Sequence, residues 1–145
     1  WPQDEAALLH QMNRVRCEGG YTQILRVLEH ALAENAKQAV QAIVLIGDAC
    51  EENHDLIAGK AGELGIAGIP LFMFQEGHDR KTEHLFRHMA KLTRGAWARF
   101  DHRSARELAE LLGAVARYAT GGKESLLQYG AGGSSGVKLL LEQLK

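Results

Sequence analysis

The sequence predicts an α/β fold, a three-layer α/β/α sandwich in which helices cover both faces of a parallel sheet. Apolar runs at 42–46 and 71–74 have no helical alternation, which is typical of strands buried on both faces. Helical patterns alternate with these strands, and this order favours parallel pairing through right-handed crossovers. The 145 residues are enough for one domain with a sizeable core.

The first predicted elements are two amphipathic helices. Between Asp4 and Val15, Leu8, Met12 and Val15 recur at helical spacing. Gly19-Gly20 interrupts this pattern, because adjacent glycines permit backbone conformations that other residues avoid. The second helix follows with Thr22 as its predicted cap, and its apolar face consists of Ile24, Leu28, Ala31 and Leu32.

The predicted strand at 42–48 ends at Gly47-Asp48, where the chain opens into a loop. A helix should follow, capped by Asn53 or Asp55 and ended by Gly65. Pro70 then opens the second strand, a position where proline is tolerated. The buried face of the intervening helix is predicted to consist of Ile57, Ala61 and Leu64.

A helix is predicted from Lys81 to Thr93 with Gly95 as its end, followed by a short third strand at 97–100. Ser104 and Glu107 have the spacing of a capping box and predict the start of another helix. The apolar positions of that helix form the longest helical stripe in the chain: Leu108, Leu111, Leu112, Val115 and Ala119.

The predicted domain covers residues 1–120, and 121–145 are expected to be a Gly/Ser-rich linker with a C-terminal helix. That helix either docks back on the domain or engages another chain. Sheets of this kind normally have about five or six strands, so we expect N-terminal strands upstream of this sequence. The strand at 42–48 should then have an unpaired edge that invites self-association.

The composition excludes several classes of partner. The formal charge of −1 is spread over interspersed acids and bases, so no basic stripe indicates nucleic-acid binding. No apolar run reaches the length that spans a bilayer, and no membrane partner is expected. The two cysteines fit neither a disulfide framework nor a zinc spacing, which favours a cytoplasmic location.

Two loops are expected to meet at the carboxyl edge of the sheet, where open α/β sheets bind ligands. One is Gly-Gly-Tyr-Thr-Gln-Ile at 19–24, and the other is Gly47-Asp48. A hydroxyl and a carboxylate from separate loops suit Mg²⁺, which prefers oxygen ligands and retains several waters. Asp48 as a simple helix cap is the alternative interpretation.

These loops, the turn at 94–96 and the final long helix resemble the von Willebrand factor A domain family over Ala6–Thr120, about the carboxyl-terminal two-thirds of such a domain. The resemblance implies a Rossmann-like sheet and a metal-ion-dependent adhesion site with Thr22 as hydroxyl ligand and Asp48 as carboxylate. It also implies a protein-interaction module, intracellular and bacterial in style, rather than an enzyme. An acidic side chain of a protein partner would complete the coordination of the cation.

This sequence departs from the family pattern in two places. No Asp is followed two residues later by Ser, so the Asp-x-Ser-x-Ser segment that supplies most of the coordination is absent. Ala49 also stands where many members have glycine. The site is therefore half present, and we expect negligible Mg²⁺ binding by this chain alone.

Two other functions compete with this one. Gly47-Asp48 with Glu52 four residues later resembles the fourth, metal-binding motif of haloacid-dehalogenase-like phosphatases, although the nucleophilic Asp-x-Asp pair is absent. A scaffold with a degenerate metal site is the other possibility. It would bind its partner equally well in chelator and after Asp48→Ala.

Four further clusters have weaker interpretations. His84 and His88 share a helix face but lack the metalloprotease glutamate, and are expected to be surface histidines. Cys17 and Cys50 are expected to be small buried thiols. The loop after Asp48 contains the acids Glu51, Glu52 and Asp55 beside His54. These acids either tune a metal site or stabilise the positive end of the dipole at a helix N-terminus. A triad of Asp101, His102 and Ser104 is disfavoured by the capping role of Ser104.

Overall fold

The computed structural model describes residues 4–16, 20–101, 105–130 and 135–144. These residues form an α/β fold with a three-stranded parallel sheet and six helices, as the alternating pattern predicts. Along the chain the elements are α1 (Glu5–Met12), α2 (Ile24–Asn35), β1 (Ile43–Gly47), α3 (His54–Ile66), β2 (Leu71–Glu76), α4 (Arg80–Leu92), β3 (Ala96–Phe100), α5 (Ala105–Gly130) and α6 (Ser135–Gln143).

The sheet has the strand order β1-β2-β3, and all of its strands are parallel. Ile43 pairs with Leu71, and Phe72 pairs with Ala96. The central strand is buried from Leu71 to Gln75, as expected for a strand covered on both faces. The three predicted strands are therefore confirmed, and within the described residues β1 has no neighbour on its outer side.

Helices pack on both faces of the sheet. On one face, Leu71 and Met73 of β2 join the buried residues of α2, α3 and α4. On the other face, Phe72 and Phe74 join those of α5 and α6. Alternate residues of one strand thus enter two separate cores, which is the arrangement of a sheet between two helical layers.

The C-terminal segment packs into the second of these cores. Non-helical backbone at Gly121 and Gly122 divides α5 into arms at 105–120 and 123–130, and Gly122 has a left-handed φ of 64°. Leu126 in the second arm and Leu140 in α6 are fully buried in the core that contains Phe72. The packed domain is predicted to end at 120 and the flexible Gly/Ser-rich linker to lie at 130–136. The helix at 123–130 instead belongs to the packed region, and 131–134 lie outside the described residues.

α6 also covers the outer edge of β3. The side-chain amide of Gln143 accepts a hydrogen bond from the Trp97 N–H at 2.9 Å and donates one to the Trp97 carbonyl at 2.8 Å. One glutamine thus occupies the place that a neighbouring strand would take at this residue. Edge strands are commonly protected by such a cover.

Gly65 and Gly95 do not end helices, contrary to the prediction. α3 continues to Ile66, and the left-handed residue after it is Gly68, with a φ of 74°. After α4, Arg94 takes the left-handed conformation. Gly65 and Gly95 instead lie where backbones approach closely, because a Cβ would fall 2.2 Å from the Leu92 carbonyl oxygen or 1.9 Å from that of Leu71.

α1 is a helix as predicted, but it buries none of its side chains. Its cap is Asp4, whose carboxylate accepts a 2.7 Å bond from the Ala7 N–H. Leu8 and Met12 are 47% and 61% exposed. Among the described helices, none is long and apolar enough to cross a membrane.

Candidate functional site

The start of α2 meets the loop after β1 at the carboxyl edge of the sheet. The Thr22 hydroxyl donates a 2.9 Å hydrogen bond to the Glu51 carboxylate, and the Thr22 N–H donates a second at 3.2 Å. Glu51 stands three residues after Asp48 in the same loop. The structure therefore brings Thr22 against the loop that Asp48 begins, across 29 residues of sequence.

Glu52 caps the N-terminus of α2, a role predicted for Thr22. Its two carboxylate oxygens accept hydrogen bonds from the Ile24 and Leu25 N–H groups. Gln23 stands at the cap position, but its side chain accepts a hydrogen bond from the Arg26 guanidinium and none from a backbone N–H of the helix. The prediction that Thr22 caps α2 is therefore wrong. A carboxylate from the neighbouring loop satisfies two adjacent donors at once and also faces the positive end of the helix dipole.

We call the start of α2 and the loop at 48–52 the rim of the sheet. The charges of the rim follow from its hydrogen bonds. The N–H and hydroxyl of Thr22 hold the pKa of Glu51 below its ordinary value, because both bonds favour the carboxylate. Asp48 is exposed at the end of β1. Burial raises the pKa of the half-buried Cys50 thiol and so favours its protonated form.

The donor set of the rim fits a hard cation only in part. The Thr22 hydroxyl accepts a long bond, 3.4 Å from the Glu51 N–H, and also contacts the Cys50 thiol. The Asp48 side chain is exposed and offers carboxylate oxygens to a cation. Within the described ranges, however, no three His, Cys, Asp or Glu side chains converge as metal ligands. The rim could hold a divalent ion with Thr22 and Asp48 only if other groups complete the shell.

The other predicted clusters contribute little to this site. His84 and His88 are both exposed on α4, in agreement with surface histidines. Asn53 caps α3, because its side-chain oxygen accepts from the Asp55 and Leu56 N–H groups. Cys17 and the His102 and Ser104 members of the triad lie outside the described residues.

Sequence reasoning missed the pairing of Glu51 and Glu52 with the start of α2. Both acids directly precede Asn53, so local rules assign them to the N-terminus of α3. Their partners are 27 to 29 residues earlier in the chain. The one available signal is that Gln23 is a poor cap, which leaves the first N–H groups of α2 in need of an outside acceptor.

Glu52→Gln is expected to destabilise the protein by about 1–2 kcal/mol, because an amide offers one acceptor oxygen and no charge to the Ile24 and Leu25 donors. Urea unfolding at neutral pH measures the change. Glu29→Gln on the exposed side of α2 is the matched control and should change stability by less than about 0.5 kcal/mol. Equal effects of the two substitutions would contradict the capping role.

No model of a protein family, no curated protein and no solved structure matches this chain.

Proposed function

We propose that this chain is a von Willebrand A-like interaction module that binds a protein partner through a divalent cation at the rim of its sheet. The observation that carries the proposal is the hydrogen bond between the Thr22 hydroxyl and Glu51, in the loop that starts at Asp48. Because of this contact, Thr22 lies against the loop that begins at Asp48, and this supports the proposal. The parallel sheet with helices on both faces supports a Rossmann-like arrangement of this type.

The chemistry of the rim favours recognition rather than turnover. Thr22 and Asp48 leave most positions of an octahedral Mg²⁺ shell to water, and the ion gives up water reluctantly. An acidic side chain of the partner would supply the missing charge and bind the cation from outside. Glu51 would accept the hydrogen bond that the Thr22 hydroxyl donates and so orient that ligand, as outer partners of metal sites do.

A second candidate is a scaffold whose metal site is degenerate. Glu51 and Glu52 accept all three N–H groups and the hydroxyl that the residues Thr22, Ile24 and Leu25 present to them. These contacts hold the rim together without a cation. In this case partner binding would survive both a chelator and Asp48→Ala.

Mg²⁺ titrated into the chain is expected to bind with a Kd weaker than about 1 mM by calorimetry, because two ligands do not offset the loss of its water. At higher concentration, Mn²⁺ should broaden the amide NMR signals near Thr22 and Asp48. Asp48→Ala should abolish this local broadening. The control Asp55→Ala removes a nearby exposed carboxylate on α3 and should leave the broadening unchanged.

One result would count against the cation-dependent module. Broadening that survives Asp48→Ala, or that spreads evenly over surface carboxylates, would favour the scaffold. A Kd tighter than about 1 mM would instead contradict the expectation that Thr22 and Asp48 alone bind Mg²⁺ weakly.

A further inference from the structure

We propose that two copies of this chain pair through the outer edges of β1 and form a continuous six-stranded sheet. The two β1 strands would run antiparallel about a two-fold axis that passes through Leu45 perpendicular to the sheet. This surface is separate from the rim of Thr22 and Asp48. The N-terminal strands expected for a von Willebrand A-like sheet would compete with the second copy for this edge, so the inference is made for residues 1–145 alone.

The first argument is that β1 presents unused backbone groups. The Ile43 N–H bonds to the Pro70 carbonyl, so Ile43 faces β2, and with it every second residue of the strand. The N–H and C=O groups of Val44 and Ile46 therefore point to the open edge. None of the described segments pairs with them, and a row of free strand groups is a template for another strand.

The second argument is the character of this edge. β1 reads Ile-Val-Leu-Ile-Gly and contains no charged residue or proline, the usual protection of an exposed strand. The Ile46 side chain is 48% exposed although it belongs to the sheet. Val44, two residues earlier on the same face, is packed against the second core only in part.

The third argument is that the edge is complementary to itself. With the two-fold axis at Leu45, Val44 lies opposite Ile46 of the second copy, and both residues turn their backbone groups toward the partner strand. The two side chains share one face of the joined sheet, where β-branched cross-strand pairs are favourable. Asp48 lies opposite Ala42 of the second copy, so no acid faces an acid across the pair.

The fourth argument limits the assembly to two copies. The outer edge of β3 is covered where Gln143 occupies the N–H and C=O of Trp97. Among the described strands, β1 is then the edge strand with no such cover, and only like edges can join. Such an isologous contact uses the same surface on both copies and closes at the dimer.

Sedimentation velocity of the full chain tests the pairing. A dimer with a Kd below about 100 µM is expected. Ile46→Lys places a charge on the edge and should raise the dissociation constant at least tenfold. Ile66→Lys is the matched control, because Ile66 is 91% exposed at the end of α3 and is not part of the sheet, and it should leave the dimer intact.

Val44→Pro is a second variant that keeps β1 in place. The Val44 N–H makes no bond to β2, and proline is tolerated where a strand N–H faces solvent. Circular dichroism should show a folded protein, and the dimer should be lost. Amide exchange adds a readout of register, because Val44 and Ile46 should become protected as concentration rises, while Leu45 is already bonded to β2 in the monomer.

Three results would overturn the proposal. A wild-type chain that stays monomeric well above 100 µM would leave the edge to an upstream strand or to a strand from another protein. A dimer that persists in both folded edge variants would use a different surface. Loss of the dimer on Leu9→Lys with retention in Ile46→Lys would assign the contact to the exposed face of α1, where Leu9 is 59% exposed.

Discussion

Replacing Gly95 by alanine is expected to destabilise the fold by about 3 kcal/mol, a large part of the stability of a small domain. The new Cβ would lie 1.9 Å from the Leu71 carbonyl oxygen and 2.8 Å from the Leu71 nitrogen. Both atoms belong to the backbone at the start of the central strand, so no flexible side chain can move aside. Relief requires β2 and β3 to separate where their register begins.

Gly59→Ala provides the control for this substitution. Gly59 lies within α3, and a Cβ there would meet nothing within 4 Å. Alanine should stabilise this helix by about 0.5–1 kcal/mol, because glycine loses more conformational freedom on folding. Urea unfolding of both variants measures the contrast. A loss below about 1 kcal/mol for Gly95→Ala would mean that the close approach to Leu71 does not constrain the fold.

Leu126→Ala is expected to cost about 2–5 kcal/mol, the usual range for a fully buried leucine. Leu126 lies beyond the glycine break of α5, and its side chain is fully buried in the core that contains Phe72. A flexible linker at this position would tolerate the change without loss. Thermal and urea unfolding therefore distinguish a structural arm from a linker.

Leu127→Ala is the matched control, because this neighbouring side chain is 51% exposed. Its loss should change stability by less than about 0.5 kcal/mol. If both variants are equally stable, the second arm of α5 contributes nothing to the core. If only Leu126→Ala is unstable, the core extends past Gly122 and includes the C-terminal segment.

Local sequence patterns were sufficient to predict the helices and strands but not the closest contacts between them. The apolar runs predicted β1 and β2, and the helical stripes predicted α2, α3 and α4. Burial of a strand on both faces gives a continuous apolar run, and burial of a helix on one face gives a helical period. The two glycines at 65 and 95 were misassigned for a physical reason. A glycine that ends a helix cannot be distinguished, from the sequence alone, from a glycine that is needed because another backbone segment approaches closely.

For the candidate site, too, the sequence predicted which segments meet but not which side chains bond to each other. A helix that leads into a parallel strand begins near that strand's carboxyl end, so Thr22 could be placed near the loop after Asp48 from element order alone. The acceptors of Thr22 and α2 could not be identified this way. Glu51 and Glu52 act across the space between two loops, and a single sequence carries no signal of which side chains meet there.

The cover that Gln143 forms over the edge of β3 limits how copies of this chain can polymerise. Its amide is joined to the fold through the last described helix, and that helix is fixed by Leu140 and Leu144 in the core. A chain cleaved before α6 would expose the backbone of Trp97 and would have two open strand edges instead of one. Molecules with two open edges can add end to end without limit, so α6 would restrict the assembly to a dimer and prevent fibre growth.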